Sequence, residues 1–188
     1  DVESTMLPLG TKMPNFNLLG IDGDMYTNEM FDDKRGSLIM FICNHCPYVI
    51  ASIDRMNNMA EYCKVNAIGF VGINSNSKNT YEEDSYENMV LRMEEFNFPW
   101  LYLHDESQMT AKDYGALKTP HFFVFNDSWR LVYTGRNTDN PKDTNQKTTD
   151  DLFNALQEAT QGKEISVPIT NPIGCNIKWE GKPAHWMP

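Results

Sequence analysis

"SLIMFICNHCPYVI", residues 37–50, carries two cysteines three apart, Cys43 and Cys46, with Asn44 and His45 between them and Pro47 behind. The run in front, Ser37 to Cys43, is short and continuously apolar, the pattern of a central strand covered on both faces. Behind the pair, Val49, Ile53, Met56, Met59, Ala60 and Cys63 recur every three or four residues. That period predicts one amphipathic helix from Pro47 to about Lys64, and Pro47 suits its first turn, where the missing N–H is not needed. The cysteines thus fall where a buried strand hands over to a helix. Such a pair can be a redox couple, half of a metal site or a structural staple.

Working outward, "NFNLLGIDGDMYTNEMF" has turn chemistry at Asp22-Gly23 between two short alternating segments, which predicts an N-terminal β-hairpin. "AIGFVGIN" (67–74) reads as a second buried strand, Thr80 to Asn97 as a helix with acidic residues in its first turn, and "WLYLHD" as a third strand. "QMTAKDYGA" is a short helix closed by Gly115, "HFFVFN" and "RLVYTG" an antiparallel hairpin turning at Asn126-Asp127-Ser128, and "DDLFNALQEATQG" a last helix ended by Gly162. The tail from Lys163 to Pro188 has no clear period. Strands alternating with helices imply an α/β fold: a parallel core with crossovers on both faces and an antiparallel edge added by the late hairpin. One domain is expected over 1–188, with 1–36 as an N-terminal extension carrying the first hairpin and 163–188 as the tail. A reactive site is expected at the carboxyl end of a central strand, where the CxxC lies.

Bulk properties narrow the partners. The 188 residues suffice for one well-packed domain, and a net charge of -10 without a Lys/Arg-rich run is a poor match for nucleic acid or an anionic membrane. No apolar run approaches the roughly 20 residues of a membrane span. The start, "DVESTMLPLGTKMP", lacks the basic segment and apolar core of a signal peptide. A cytoplasmic location is expected, and an exported form with a removed leader fits a chain that begins at Asp1. The four cysteines, Cys43, Cys46, Cys63 and Cys175, are too few for a disulfide-scaffold miniprotein.

A thiolate at a helix start is stabilised by free N–H groups and the helix dipole, so it attacks better at neutral pH. The expected roles follow: Cys43, the more exposed, attacks a substrate disulfide, and Cys46 resolves the mixed disulfide. His45 would add a cation beside them. For a zinc site there is no second CxxC; Cys63 and Cys175 do not make a knuckle, and His104, His121 and His185 are scattered. No cofactor is called for. "KTPHFFVF" places Thr119-Pro120 before an apolar strand, a place for a trans proline opening the strand or for a cis one.

"MLPLGTKMPNFNLLGIDG", "FICNHCPYV", "LKTPHFFVFN", "YTGRNTDNP" and "PITNPIGCNIKW" together resemble the thioredoxin-family redoxins of the alkyl hydroperoxide reductase/thiol-specific antioxidant-like group, from Met6 to Trp179. The resemblance implies a thioredoxin-like fold with the hairpin extension and an extended tail, a redox CxxC at Cys43 and Cys46, and a cis Thr119-Pro120 beside it. It also implies a substrate groove in which the backbone near Thr119 pairs with an extended substrate segment, flanked by Asn44 and His121. The group often has "CTPD" where this chain has "KTPH"; a cation at Lys118 or a titratable ring at His121 would then flank the thiols. Peroxiredoxins place Thr three residues before the peroxidatic cysteine and Pro further upstream; Met40 and Gly36 stand there for Cys43, and Cys43 and Ile39 for Cys46. The strand "SLIMFI" offers no carboxylate proton acceptor.

The expected function is thiol–disulfide exchange with protein or small-molecule disulfides, supplied by an external thiol electron donor. A thiol peroxidase, a metal-binding or metallochaperone module and a non-catalytic binding domain are the other classes considered. Cys63, on the apolar helix face, reads as buried and inert. Cys175 reads either as a packed anchor of the tail or as a third redox thiol. Nothing in the sequence brings it near Cys43, so packing is the preferred reading. Trp100, Trp129, Trp179 and Trp186 read as core or tail anchors.

Overall fold

The computed structural model describes residues 6–147 and 149–181; His185 and Trp186 lie outside them. A seven-stranded sheet runs in the order β2 (Met25–Thr27), β1 (Asn17–Gly20), β5 (Leu101–His104), β4 (Ile68–Asn74), β3 (Gly36–Phe41), β7 (His121–Phe125), β8 (Leu131–Gly135). β3, β4 and β5 are parallel, as the βαβ alternation predicts, and β7 and β8 add the antiparallel edge. The Asp22-Gly23 hairpin is there too. It extends the central sheet: β1 pairs antiparallel with β5, with Leu19 opposite His104.

β3 sits inside the sheet between β4 and β7, and all six of its residues are buried. Side chains alternate across a strand. Leu38 and Met40 therefore join one apolar cluster with Met56, Met59 and Leu156, while Ile39 and Phe41 join the other with Tyr114 and Phe123. Helices α2 (Ile53–Val65) and α5 (Asp151–Thr160) cover the first face and α4 (Met109–Tyr114) the second. Among the described residues no helix is long and apolar enough to cross a membrane.

Two helices differ from expectation. The helix after the CxxC is broken into α1 (Pro47–Ala51) and α2 by Ser52, which is fully buried and donates its hydroxyl to the Tyr48 carbonyl at 2.8 Å. A serine bonded back to the carbonyl four residues earlier bends a helix. Helix α3 (Tyr86–Phe96) starts six residues later than Thr80, because Ser85 caps it by accepting the Asn88 N–H. The acidic residues before it, Glu82–Asp84, form a separate 3₁₀ turn.

The tail has no period because it borrows its backbone partners from elsewhere. Thr134 exchanges hydrogen bonds with Pro168 and Thr170 along the open edge of β8. The chain then crosses to pair β9 (Cys175–Asn176) with β6 (Lys118–Thr119), a second, two-stranded sheet. Beyond it, the Lys178 carbonyl accepts the Ser77 N–H (2.8 Å) and Gln108 Nε2 (2.9 Å).

Candidate active site

Both cysteines lie just past the carboxyl end of β3, with Cys46 as the cap residue of α1. The Thr119–Pro120 peptide beside them is cis. Three segments meet here. The Cys46 N–H donates to Cys43 Sγ (3.2 Å), Cys43 Sγ lies 3.5 Å from Thr119 Oγ1, and Cys46 Sγ lies 3.2 Å from the Thr119 carbonyl. From the tail, Cys175 Sγ comes to 2.8 Å from Cys46 Sγ. Thr119 faces Cys175 in the β6–β9 pairing.

This geometry corrects several expectations. Cys175, which nothing in the sequence brought near Cys43, packs at the site itself and pairs the tail strand with Thr119. The edge at Thr119 that was expected to receive a substrate segment is already paired with β9. Cys43 is only 4 % exposed and Cys46 3 %, so Cys43 is not an exposed residue, whereas Cys175 keeps partial exposure.

The charge also sits differently. The hydrogen bond between Cys43 and Cys46, burial and the Asp84 carboxylate all raise the Cys43 thiol well above its usual range. The same hydrogen bond lowers Cys46 to about 4 against the opposing effect of burial, helped by the Cys175 side chain and by backbone N–H groups of Val49 and Cys175. The Cys46 N–H aimed at Cys43 favours a thiolate there, but burial and Asp84 outweigh it. The reduced pair thus shares one negative charge, resting on Cys46. Cys175 is raised to about 11, first by burial and then by its hydrogen bond to Cys46. Cys63 is fully buried in α2, its thiol pushed up to about 12 by burial, which fits the inert reading.

The carboxylate missing from β3 comes from another segment. Asp84, fully buried, accepts the Asn44 N–H at Oδ1 (2.7 Å) and Asn76 Nδ2 at Oδ2 (2.9 Å). Burial raises its carboxyl above the ordinary aspartate range, opposed by these hydrogen bonds. Asn44 turns inward to join it: Nδ2 donates to the Glu83 carbonyl (2.8 Å) and Oδ1 accepts from Tyr102 (2.9 Å). With its polar atoms spent on the core, Asn44 is not a substrate ligand. The cation beside the loop is Arg92 of α3, whose Nε donates to the Asn44 carbonyl (2.9 Å) and whose Nη2 lies 3.3 Å from His45 Nδ1. Asp84 and Arg92 escaped the sequence reading. The signal for Asp84 was a run of acids before a helix, which also describes a solvated first turn.

His121 is a further correction. It shares a face of β7 with Phe123 and Phe125, opposite Phe122 and Val124, which pack with the cysteines. It is fully buried and stacked on Phe123 (4.5 Å between centroids). Nδ1 accepts the Leu117 N–H at 3.2 Å, and Nε2 lies 3.1 Å from Thr134 Oγ1. It therefore neither lines a substrate site nor flanks the thiolate, and Lys118 donates to Asn176 of the tail strand. Burial depresses His121 to about 3, so the ring is neutral in the fold. A folded value below the unfolded one gives stability that is present above about pH 6.5 and lost as pH falls toward 3. Wild type is therefore expected to lose about 2–3 kcal/mol more than His121→Gln between pH 6 and pH 4 in urea titrations; parallel curves would contradict the buried neutral ring.

Among the described residues no group of three or more His, Cys, Asp or Glu is placed to hold a metal ion. Comparison with known proteins adds the following. A family model described as Redoxin matches residues 8–153. A hypothetical protein from Sinorhizobium meliloti 1021 is 32% identical, over 94% of this chain and 97% of its own, with a TM-score of 0.87. An uncharacterized conserved protein from Geobacillus kaustophilus is 36% identical over 94% and 95%, also at 0.87. The thioredoxin domain of a thiol-disulfide oxidoreductase from Bacteroides vulgatus, at 15% identity over 74% of this chain and 96% of its own, superposes with a TM-score of 0.58, a likeness of fold alone. No curated protein matches. The fold is thioredoxin-like.

Proposed function

The chain belongs to the Redoxin family, and from that premise we propose that Cys43 and Cys46 are a two-electron couple that exchanges with protein or small-molecule disulfides. The observation that supports this most is geometric: at the end of the central strand the Cys46 N–H donates to Cys43 Sγ (3.2 Å), and the cis Thr119–Pro120 peptide lies against both sulfurs. In exchange, the Cys46 thiolate attacks one sulfur of a substrate disulfide and expels the other as a thiolate. Cys43 then gives up its proton and attacks Cys46 Sγ, closing the Cys43–Cys46 disulfide and releasing the second substrate thiolate. The order is the reverse of the one expected from sequence, because burial and Asp84 disfavour charge on Cys43. A substrate reaches Cys46 when β9 leaves the Thr119 edge, since Cys175 of the docked tail lies against Cys46 Sγ.

Mild oxidation is expected to yield a Cys43–Cys46 disulfide by peptide mapping, and the reduced protein to accelerate insulin reduction by dithiothreitol. Cysteines that stay free under oxidation, with no acceleration, would refute the reading.

A further inference from the structure

The tail strand does more than cover the site. Of the three clustered cysteines, Cys43 and Cys46 are buried and Cys175 is half-buried. Its Sγ stands 2.8 Å from Cys46 Sγ, so a shift of roughly 0.8 Å would give the bond length of a disulfide. Its position is built in. Thr119 pairs with Cys175 and Lys118 with Asn176, and the Ile177 N–H donates to the Leu117 carbonyl (3.2 Å). Gly174 packs so close that a Cβ there would stand 2.2 Å from the Thr119 carbonyl oxygen. Only glycine permits that approach without displacing the strand.

We propose that Cys175 is the port through which an external small thiol reduces the Cys43–Cys46 disulfide. The inference rests on the function proposed above, since it needs that disulfide to form. In the oxidised protein, Cys175 loses its proton and attacks Cys46 Sγ. The Cys46–Cys175 bond forms, the Cys43–Cys46 bond breaks, and Cys43 leaves with the electron pair and takes up the proton. An external thiolate then attacks Cys175, the least buried of the three residues, making a mixed disulfide with it and expelling Cys46 as a thiolate. That departure is favoured, because a thiol of low pKa leaves fastest. A second external thiol attacks the mixed disulfide, freeing Cys175 and forming the external disulfide. Two thiols are oxidised and one protein disulfide is reduced. A direct attack on Cys46 would instead have to displace Cys175 of the docked strand.

The test uses glutathione as the reductant of the oxidised full chain. In wild type quenched during reduction, mapping is expected to find glutathione on Cys175, and oxidised Cys43→Ser to contain a Cys46–Cys175 disulfide. Cys175→Ser is expected to slow reduction of the Cys43–Cys46 disulfide at least tenfold. Gly174→Ala, which keeps every thiol but crowds Thr119, is expected to slow it as well. Glutathione mapped to Cys43 or Cys46, or equal or faster reduction in Cys175→Ser, would overturn the proposal while leaving the couple intact. Failure of wild type to form the Cys43–Cys46 disulfide at all would overturn both. The wild-type mapping stands even if a variant misfolds.

Discussion

Cys46→Ser is expected to abolish disulfide exchange, with a loss on the order of 10³ or more, whereas Cys43→Ser loses turnover but keeps a reactive sulfur. The asymmetry follows from where the charge rests. The Cys43 side chain first, then Cys175, whose sulfur lies 2.8 Å away, and the backbone N–H groups of Val49 and Cys175 all lower the Cys46 thiol, so Cys46→Ser removes the sulfur best able to carry the charge at neutral pH. Cys43 is held as a thiol by its bond to Cys46, by burial and by Asp84. The measurement is thiolate ultraviolet absorbance of the reduced protein against pH. Wild type should keep one thiolate down to about pH 4, Cys46→Ser should show none until the alkaline range, and Cys63→Ser should match wild type. The linkage has a definite sign. A folded value below the unfolded one makes the thiolate a source of stability that is present above the ordinary thiol range and lost as pH falls through about 4. The reduced wild type should therefore be more acid-sensitive than Cys46→Ser. A low-pH thiolate that survives in Cys46→Ser would place the charge on Cys43.

The second large effect is expected at Asp84. Asp84→Ala leaves the Asn44 N–H and Asn76 Nδ2 without their acceptor in the interior, a loss of about 2–4 kcal/mol from two unpaired buried donors and a small cavity. Asp84→Asn keeps the shape and the acceptor for the Asn44 N–H while removing the charge, but sets its own NH2 against Asn76 Nδ2, so it should destabilise less than alanine without matching wild type. It should also move the second thiolate step, that of Cys43, to lower pH, because the Asp84 charge helps to hold that thiol protonated. The pH dependence separates the two roles. The Asp84 carboxyl is raised in the fold, so the protein is most relieved of this group when it is protonated and loses stability as pH rises through its folded value. Asp84→Asn should lack that decline. An unshifted second thiolate step in Asp84→Asn would remove Asp84 from the control of Cys43 and leave it a packing residue.

Much of this molecule was legible in the chain because the signals are local. The unbroken apolar run of β3, the three-to-four-residue spacing after Pro47 and the Asp22-Gly23 turn are readable without distant partners, and they placed the CxxC at the end of a central strand. The single helix predicted from Pro47 to Lys64 failed at Ser52, since an amphipathic period registers which face is buried but not whether a buried hydroxyl bends the axis. His121 failed for a different reason. Whether it lies on the cysteine face depends on the register of β7 against β3, where His121 stands opposite Phe41. A one-residue slip would exchange the faces, and only strand pairing settles it.

By itself, then, the sequence determined that a cysteine pair sits where a buried strand meets a helix, because hydrophobic periodicity and turn chemistry act over a few residues. Tertiary structure alone decided what those cysteines are. Asp84 and Arg92 arrive from the segment after β4, Thr119 from β6 and Cys175 from a tail with no pattern of its own. A sulfur's charge and reach depend on which hydrogen bonds, carboxylates and covering strands lie within a few ångströms of it, and those neighbours are set by packing, not by position along the chain.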